Sequence, residues 1–370
     1  MQESPLTQTR ELVLIGGGHT HALVLHDLAQ HPLPDLRVTL INPDPSAPYT
    51  GMLPGFIAGH YPREALEIDL VRLAARAGAR LVQARAIGLD RSARQVEIEG
   101  QPPIRYDLAA LDIGITSDLP QIPGYGEYAV SAKPLGAYAR AWEDWVDAVQ
   151  AGRASPEIAV IGGGVAGVEL ALAMAHRIRA HITIVEASTP LPHLGPRARA
   201  RLLSHLAQAG VEWRVPAQVA EVTPKGVRLA DGAEIEASLV LGAAGARPQG
   251  WLRGTGLDLS DGFVTVDPFL RSITDPTIFA VGDCAHMAHA PRAKAGVYAV
   301  RQAPFLLANL RAALGAGPMR AYHPQRDYLK LISLGERRAL GEKWGMVLEG
   351  GWLWRIKDRI DARFMQQFRN

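Results

Sequence analysis

Two glycine-rich turns, each placed between an apolar strand and a helix, constrain this chain more than any other feature. The first begins at Gly16 after the apolar residues 12–15, and the second begins at Gly162 after the apolar residues 158–161. An uninterrupted apolar run is typical of a strand that is buried on both faces. Each turn leads into a helical pattern and then into another apolar strand, so each half predicts a β-α-β unit. Since the turns lie 146 residues apart (16 to 162), the chain contains two copies of one domain type.

The second turn carries the complete dinucleotide-binding pattern GxGxxG. The acid Glu186 ends the following strand, 22 residues after Gly164. Bare glycines let a diphosphate approach the N–H groups at the helix N-terminus, where the helix dipole favours negative charge. Glu186 is placed to accept hydrogen bonds from ribose hydroxyls and to repel a 2′-phosphate, which favours NADH over NADPH. Besides Glu186, the predicted cofactor-binding residues here are Gly162, Gly164, Val165, Ala166 and Gly167.

The first turn departs from this pattern at two positions. His21 stands where the third glycine is expected, and Asn42 rather than an acid lies 24 residues after Gly18. An asparagine still forms hydrogen bonds to a ribose hydroxyl, although more weakly than a carboxylate does. The strand before the turn and the helix after it predict a second dinucleotide-binding site. Its predicted cofactor-binding residues are Gly16, Gly18, His19, Thr20 and Asn42.

Charge, cysteine content and hydropathy exclude several classes of function. The 39 basic and 37 acidic residues almost cancel, which argues against nucleic acid as a partner. The single cysteine, Cys284, excludes an intramolecular disulfide and a dithiol redox centre. The twelve histidines show no metal-ligand spacing, so no metal is predicted. Residues 1–10 lack the apolar core of a signal peptide and no apolar run reaches about 18 residues, which predicts a cytoplasmic protein, peripheral at most on the inner face of the cell membrane.

A third pattern lies in residues 277–283, an apolar strand that ends in Gly282 and Asp283. It resembles the second FAD-binding signature of flavoproteins with two dinucleotide-binding domains. In that family the aspartate accepts hydrogen bonds from the ribityl chain, and the following helix directs its N-terminus at the flavin. The alternative is an ordinary aspartate that caps a helix.

Further segments resemble type II NADH dehydrogenases and sulfide:quinone reductases. Residues 49–54 resemble their flavin-contacting loop, and residues 300–303 resemble the helix near their quinone site. From residue 12 to about residue 368 the chain is similar to the pyridine nucleotide-disulfide oxidoreductase domain that is sometimes fused upstream of selenide, water dikinase. That similarity is carried by residues 15–21, 48–55 and 357–361. The remaining predicted cofactor-binding residues are Thr50, Met52, Leu53, Ala86, Gly114, Gly245, Arg247, Gly282, Asp283 and Lys294.

The resemblance implies an α/β fold with two Rossmann-like domains and a small C-terminal segment. Residues 1–130 and 266–320 form the FAD domain, residues 131–265 form an inserted NAD(P)H domain, and residues 321–370 complete the chain. It also implies an FAD-dependent oxidoreductase in which hydride passes from NAD(P)H to the flavin. Without a cysteine pair, electrons then pass directly to a second acceptor, and a quinone is the leading candidate. The alternatives are a selenium or sulfur species, a soluble electron carrier, or a slow flavin- and NADH-sensing binding module.

Three residues are predicted to act in catalysis on the basis of this resemblance. Glu169 matches a glutamate near the nicotinamide, although an acid in the first turn of a helix is also favoured by the dipole alone. Lys133, like Lys294, is a candidate cation near the flavin, and the alternative is a solvated surface lysine. Gln302 either faces the acceptor site or lies on a helix surface. Cys284 is predicted to be a small buried residue rather than a nucleophile.

The C-terminal residues predict an amphipathic helix. Ile356, Ile360 and Phe364 are spaced by four, Leu353 and Phe368 extend the stripe, and basic residues flank it. Such a helix either rests on a membrane surface and admits a quinone, or packs on its own domain or on a homodimer partner.

Overall fold

The computed structural model describes residues 9–369. Its first part contains the predicted β-α-β unit followed by a series of short strands. The helices of this part are α1 (His19–Gln30), α2 (Leu53–Ile57) and α3 (Leu70–Arg76). The strands are β1 (Arg10–Ile15), β2 (Leu36–Asn42), β3 (Ser46–Pro48), β4 (Glu67–Asp69), β5 (Arg80–Gln83), β6 (Ala86–Asp90), β7 (Gln95–Ile98), β8 (Gln101–Arg105) and β9 (Leu108–Leu111).

The middle part repeats the β-α-β arrangement. Its helices are α4 (Tyr125–Tyr128), α5 (Leu135–Gln150), α6 (Val165–Arg177) and α7 (Pro196–Gln208). Its strands are β10 (Ala129–Ser131), β11 (Glu157–Ile161), β12 (His181–Val185), β13 (Glu212–Arg214), β14 (Val219–Thr223), β15 (Gly226–Leu229), β16 (Glu234–Glu236) and β17 (Leu239–Gly242).

The last part returns to the first sheet and ends in a small antiparallel sheet with a long helix. Its strands are β18 (Leu259–Ser260), β19 (Phe263–Val266), β20 (Ile278–Ala280), β21 (Ala285–Met287), β22 (Lys330–Ser333), β23 (Ala339–Lys343) and β24 (Met346–Gly350). Its helices are α8 (Gly296–Ala313) and α9 (Gly351–Arg369).

Two five-stranded parallel sheets form the framework, in the orders β20-β9-β1-β2-β5 and β10-β17-β11-β12-β13. Four strands of each sheet follow the same order. The fifth strand differs, because β20 comes from the last part of the chain whereas β10 precedes its own β-α-β unit. The chain therefore leaves the first sheet, builds the second and returns, which confirms the predicted α/β fold; the exact domain boundaries stay a prediction.

The strand order places both glycine turns at equivalent positions. Each turn follows the carboxyl end of the central strand, β1 or β11. At this point the strand order reverses, because β2 or β12 lies on one side of the central strand and β9 or β17 lies on the other. Open α/β sheets bind ligands at such switch points. Gly16 has φ +91° and Gly162 has φ +115°, and a Cβ at either position meets the backbone of the adjacent strand end. Only glycine permits this turn without displacing that backbone.

The predicted C-terminal helix is confirmed as α9, but the predicted apolar stripe is not buried along its whole length. Leu353 and Phe368 are buried, whereas Ile356 is 40% exposed and Ile360 is 52% exposed. The helix instead turns Asp361 inwards, because polar partners in the loop before α2 hold it there. Among the helices of residues 9–369, we find none with the length and apolar character needed to cross a bilayer.

Candidate dinucleotide-binding sites

A cavity of about 470 Å³ lies at the carboxyl edge of the first sheet, against the N-terminus of α1. It brings together segments that are far apart in the chain. The predicted site residues that line it are Gly16, Gly18, His19, Asn42, Thr50, Ala86, Gly114, Lys133 and Asp283. Thr20, Met52, Leu53 and Gly282 lie beside it within the same turns.

The cavity has the features that a dinucleotide requires. Gly18 is the N-cap residue of α1, and a glycine has no side chain that could accept hydrogen bonds from the first N–H groups of the helix. Gly114 adopts φ +63° and a Cβ there would meet no heavy atom within 4 Å, so its backbone is open to the cavity. A glycine-capped helix N-terminus and a bare glycine backbone beside the cavity are features that suit a bound dinucleotide.

Lys133 and Asp283 form an ion pair inside this cavity, with 3.1 Å between Nζ and Oδ2. The turn that carries Asp283 is held from behind, since Gly282 N–H donates to Gln302 Oε1 at 2.7 Å. Gln302 is 1% exposed, so the helix-surface alternative is wrong. Its amide supports the turn, and its role at an acceptor site stays a prediction.

The alternative role of Asp283, a simple cap of the next helix, does not fit the structure, because no α-helix begins directly after it. A single 3-10 turn (Gly282–Cys284) and the strand β21 follow, and α8 begins only at Gly296. The N-terminus of α8 nevertheless reaches the cavity, because Gly296 lines it. Cys284 is fully buried, and burial raises the pKa of its thiol to about 12. It is therefore the inert small residue that was predicted.

Lys294, the other predicted flavin cation, is not among the residues that line the first cavity. Its Nζ donates to the carbonyl of Ala285 at 2.6 Å and lies 3.8 Å from the ring centre of Phe263. Burial lowers its pKa from the ordinary value. Lys133 rather than Lys294 is the lysine that lines the cavity, and the assignment of Lys294 to cofactor binding stays a prediction.

Asn42, at the end of β2, and Glu186, directly after β12, perform the same structural task in the two units. Gly17 N–H donates to Asn42 Oδ1 at 2.9 Å, and Gly163 N–H donates to Glu186 Oε2 at 2.7 Å. Each side chain therefore fixes the middle glycine of its turn, which explains why an asparagine suffices in the first unit. Although partial burial opposes it, donation from Gly163 and Ser188 lowers the pKa of Glu186, which stays a carboxylate at neutral pH.

A second cavity of about 460 Å³ lies at the equivalent edge of the second sheet. It is lined by Gly162 and Glu186 and, from the segment after β17, by Gly245 and Arg247. A Cβ at Gly164 would meet no heavy atom within 4 Å, so the N-terminus of α6 is open to a phosphate. Val165 and Ala166 form the first turn of α6, and Gly167 packs so closely on Gly162 that a Cβ there would collide with its carbonyl oxygen.

Glu169 belongs to a charged network that joins α6, α9 and the loop before α2. Ser333 N–H donates to Glu169 Oε1 at 2.7 Å, and burial raises the pKa of Glu169 to about 7 against the opposing effect of Lys357. Lys357 Nζ donates to Asp361 Oδ2 at 2.7 Å and also to the carbonyl of Gly51. Asp361 in turn accepts from the hydroxyl of Tyr49 at 2.9 Å. The sequence pointed separately to Glu169 and to residues 48–55 and 357–361, but it did not predict that they meet in one network.

Replacing Lys357 with methionine should destabilise the protein strongly. The side chains of Lys357 and Asp361 are only 14% and 6% exposed, so the variant leaves Asp361 and Glu169 without their cation. Removing one partner of a buried pair costs about 3–5 kcal/mol. Urea denaturation measures the loss in the free energy of unfolding. Arg359→Met is the matched control, since Arg359 is an exposed basic residue of the same helix and its loss should cost less than about 0.5 kcal/mol. Equal losses in the free energy of unfolding for the two variants would contradict a stabilising role of Lys357 in the network.

Comparison with known proteins agrees with this geometry. The sequence profile of the family described as "Pyridine nucleotide-disulphide oxidoreductase" matches residues 10–303. The NADH dehydrogenase-like protein YutJ of Bacillus subtilis (strain 168) is 26% identical over 294 residues, which are 77% of this chain and 79% of that protein. The type II NADH:quinone oxidoreductase of Haemophilus influenzae is 30% identical over 50% of this chain, but the match spans only 46% of that protein.

A solved structure shows the same overall fold. The structure of NDH2 from Plasmodium falciparum in complex with NADH superposes with a TM-score of 0.79 at 13% sequence identity, covering 97% of this chain and 98% of that one. At this level of identity the likeness concerns the fold. It extends over the C-terminal sheet and helix as well as the two parallel sheets.

Proposed function

Since the chain belongs to the pyridine nucleotide-disulphide oxidoreductase family and is an NAD(P)H-dependent oxidoreductase, we propose that it oxidises NADH through FAD and reduces a quinone-like acceptor. The observation that carries the proposal is the pair of cavities at equivalent sheet edges, each next to a glycine-rich turn that leads into a glycine-capped helix. FAD occupies the first cavity and NAD(P)H the second. The chain's one cysteine is buried with a raised pKa, so electrons leave without a redox disulfide.

The chain's own residues prepare the first cavity for this chemistry. When bound, the flavin accepts hydride and passes electrons on, while the protein positions and tunes it. Asp283 offers acceptors for the hydroxyls of the cofactor, and its pairing with Lys133 holds a cation in the cavity. Burial lowers the pKa of His19 to about 4, so this ring lines the cavity as a neutral group.

An exposed apolar surface supports an acceptor that dissolves in membranes. We define the apolar patch by its members on α9, β24 and the turn before β24: Trp344, Met346, Leu348, Trp352, Ile356 and Ile360. Exposed basic side chains of α9 lie beside it, namely Arg355, Arg359 and Arg363. Tryptophan, aliphatic and arginine side chains together are typical of a helix at a lipid interface. The name of the similar H. influenzae protein, a type II NADH:quinone oxidoreductase, points to the same acceptor class.

Anaerobic stopped-flow spectroscopy of the yellow holoprotein tests the proposal. NADH should bleach the flavin absorbance, and a water-soluble quinone should restore it rapidly in a second mixing step. Bleaching without recovery by a quinone would favour a soluble electron carrier, a selenium or sulfur species, or a slow NADH-sensing role. A protein that cannot be loaded with FAD contradicts the proposal altogether.

Membrane contact through the apolar patch is tested with lipid vesicles. The double variant Ile356→Ser, Ile360→Ser should weaken sedimentation with anionic vesicles by about tenfold or more, because transferring each exposed isoleucine to lipid contributes on the order of 1 kcal/mol. Val71→Ser with Ile273→Ser is the matched control, as these residues are 47% and 54% exposed and lie outside the patch. Undiminished sedimentation of the Ile356→Ser, Ile360→Ser variant would contradict lipid contact through the patch.

The preference for NADH depends on the charge of Glu186. Glu186→Gln keeps an acceptor for Gly163 N–H but removes the carboxylate that repels a 2′-phosphate. The ratio of kcat/KM for NADH to that for NADPH should fall about tenfold, which corresponds to about 1.4 kcal/mol of like-charge repulsion. Glu157→Gln, at the opposite end of β11, should leave the ratio unchanged. An unchanged ratio in Glu186→Gln would show that the preference is set elsewhere.

A further inference from the structure

An acidic side chain occupies the N-terminus of α1. Asp112 follows β9 and is 4% exposed, yet it lines the first cavity. Its Oδ2 accepts from Thr20 N–H at 2.9 Å and from His21 N–H at 3.1 Å. The carboxyl group thus accepts hydrogen bonds from N–H groups at a helix N-terminus, which is where the diphosphate of a dinucleotide usually binds.

The second unit lacks this acid. The residue equivalent to Asp112 is Ala243, since Asp112 N–H donates to Ile15 O and Ala243 N–H donates to Ile161 O. A Cβ at Gly164 meets open space, whereas a Cβ at Gly18 would collide with the Asp112 carboxyl group. The fold therefore tolerates a small apolar residue at this place, and the acid is a particular feature of the first cavity.

The surroundings of Asp112 supply little positive charge to balance a second anion. From the turn after β20, Asp283 adds negative charge, and Lys133 is already paired with it. On α1, burial lowers the pKa of both His19 and His21 to about 4, so both rings are neutral. Cys284 is protonated, and Lys294 is bonded to a carbonyl group.

We propose that Asp112 takes up one proton from solvent when the diphosphate of FAD binds at the N-terminus of α1. The neutral carboxyl group then donates a hydrogen bond towards a phosphate oxygen while still accepting from α1. Two anions in one dry site repel each other, and protonation of the carboxylate removes that repulsion. The inference rests on the proposed binding of FAD in the first cavity.

The free protein is close to this protonated state. Burial raises the pKa of Asp112 to about 7, against the N–H groups of His21 and Thr20, which lower it. A bound diphosphate raises this pKa further, so the complex holds the proton at pH values where the free protein has lost it. FAD should therefore bind with constant affinity below about pH 7, and its Kd should rise by up to tenfold per pH unit above it.

Calorimetry on the wild-type apoprotein tests the coupling directly. FAD is titrated at about pH 8 in two buffers that differ in ionisation enthalpy, and the difference in heat reports the protons taken up. The diphosphate of FAD is a diester that does not titrate in this range, so uptake belongs to the protein. We expect an uptake approaching one proton per FAD. Binding without proton uptake and with a pH-independent Kd overturns the inference alone, while no binding of FAD at any pH overturns the proposed cofactor with it.

Two variants assign the proton to Asp112. Asp112→Asn keeps an acceptor for α1 but cannot titrate, so it should bind FAD with no proton uptake and a Kd that is flat from about pH 6 to 9. Asp107→Asn is the matched control, because Asp107 also accepts a backbone N–H, from Glu11 at 2.8 Å, at the far end of the same strands. This control should keep the wild-type uptake. Proton uptake that persists in Asp112→Asn assigns the proton to another group and overturns the inference.

Discussion

Gly164→Val should slow the reduction of the flavin by NADH about 100-fold while the protein remains folded and yellow. Gly164 caps α6 with φ −75° and ψ 178°, an extended conformation that any residue adopts, and its Cβ would meet no protein atom within 4 Å. We propose that a phosphate of the nicotinamide cofactor binds in this open space at the helix N-terminus. Side-chain carbons there displace the dinucleotide, and a misplacement of about 1 Å costs about 100-fold in rate.

The measurement is the rate of flavin bleaching in anaerobic stopped flow at a fixed NADH concentration, with thermal unfolding followed in parallel. Gly254→Val is the matched control, since Gly254 is also an exposed glycine whose Cβ would meet nothing within 4 Å. It should reduce at the wild-type rate. Normal reduction in Gly164→Val would show that the second cavity does not bind the nicotinamide cofactor.

Asp283→Ala should weaken FAD binding by about 10- to 100-fold. The side chain of Asp283 is 14% exposed and lines the first cavity, so its loss removes acceptors for the cofactor's hydroxyl groups. It also leaves Lys133 without its partner. The loss of a hydrogen bond to a charged group costs about 1.5–3 kcal/mol, which gives the expected range.

Titration of the apoprotein with FAD, followed by quenching of flavin fluorescence, measures the change. Asp283→Asn retains one acceptor and should recover part of the affinity, which separates hydrogen bonding from charge. Asp258→Ala, an exposed acid in the same part of the chain, should bind like the wild type. Unchanged affinity in Asp283→Ala would place the flavin away from the turn after β20.

The spacing of residues along the chain was sufficient to predict the two β-α-β units and the α/β fold. Apolar runs, bare glycines and the residue at the end of the second strand all act within one unit, so they are visible locally. The glycines at positions 16 and 162 meet the conformational demand of their turns, which their positive φ values display.

The pairing of distant polar groups was decided only by the tertiary structure. Asp112 meets Thr20 across 92 residues because β9 lies beside β1 in the first sheet. Lys133 follows β10 of the second sheet and meets Asp283, 150 residues away, where the two sheet units lie against each other. Periodicity predicted α9 but not its orientation. Which face of a helix is buried depends on what it packs against, and here the partners Tyr49 and Gly51 draw Lys357 and Asp361 inwards and leave Ile356 and Ile360 exposed.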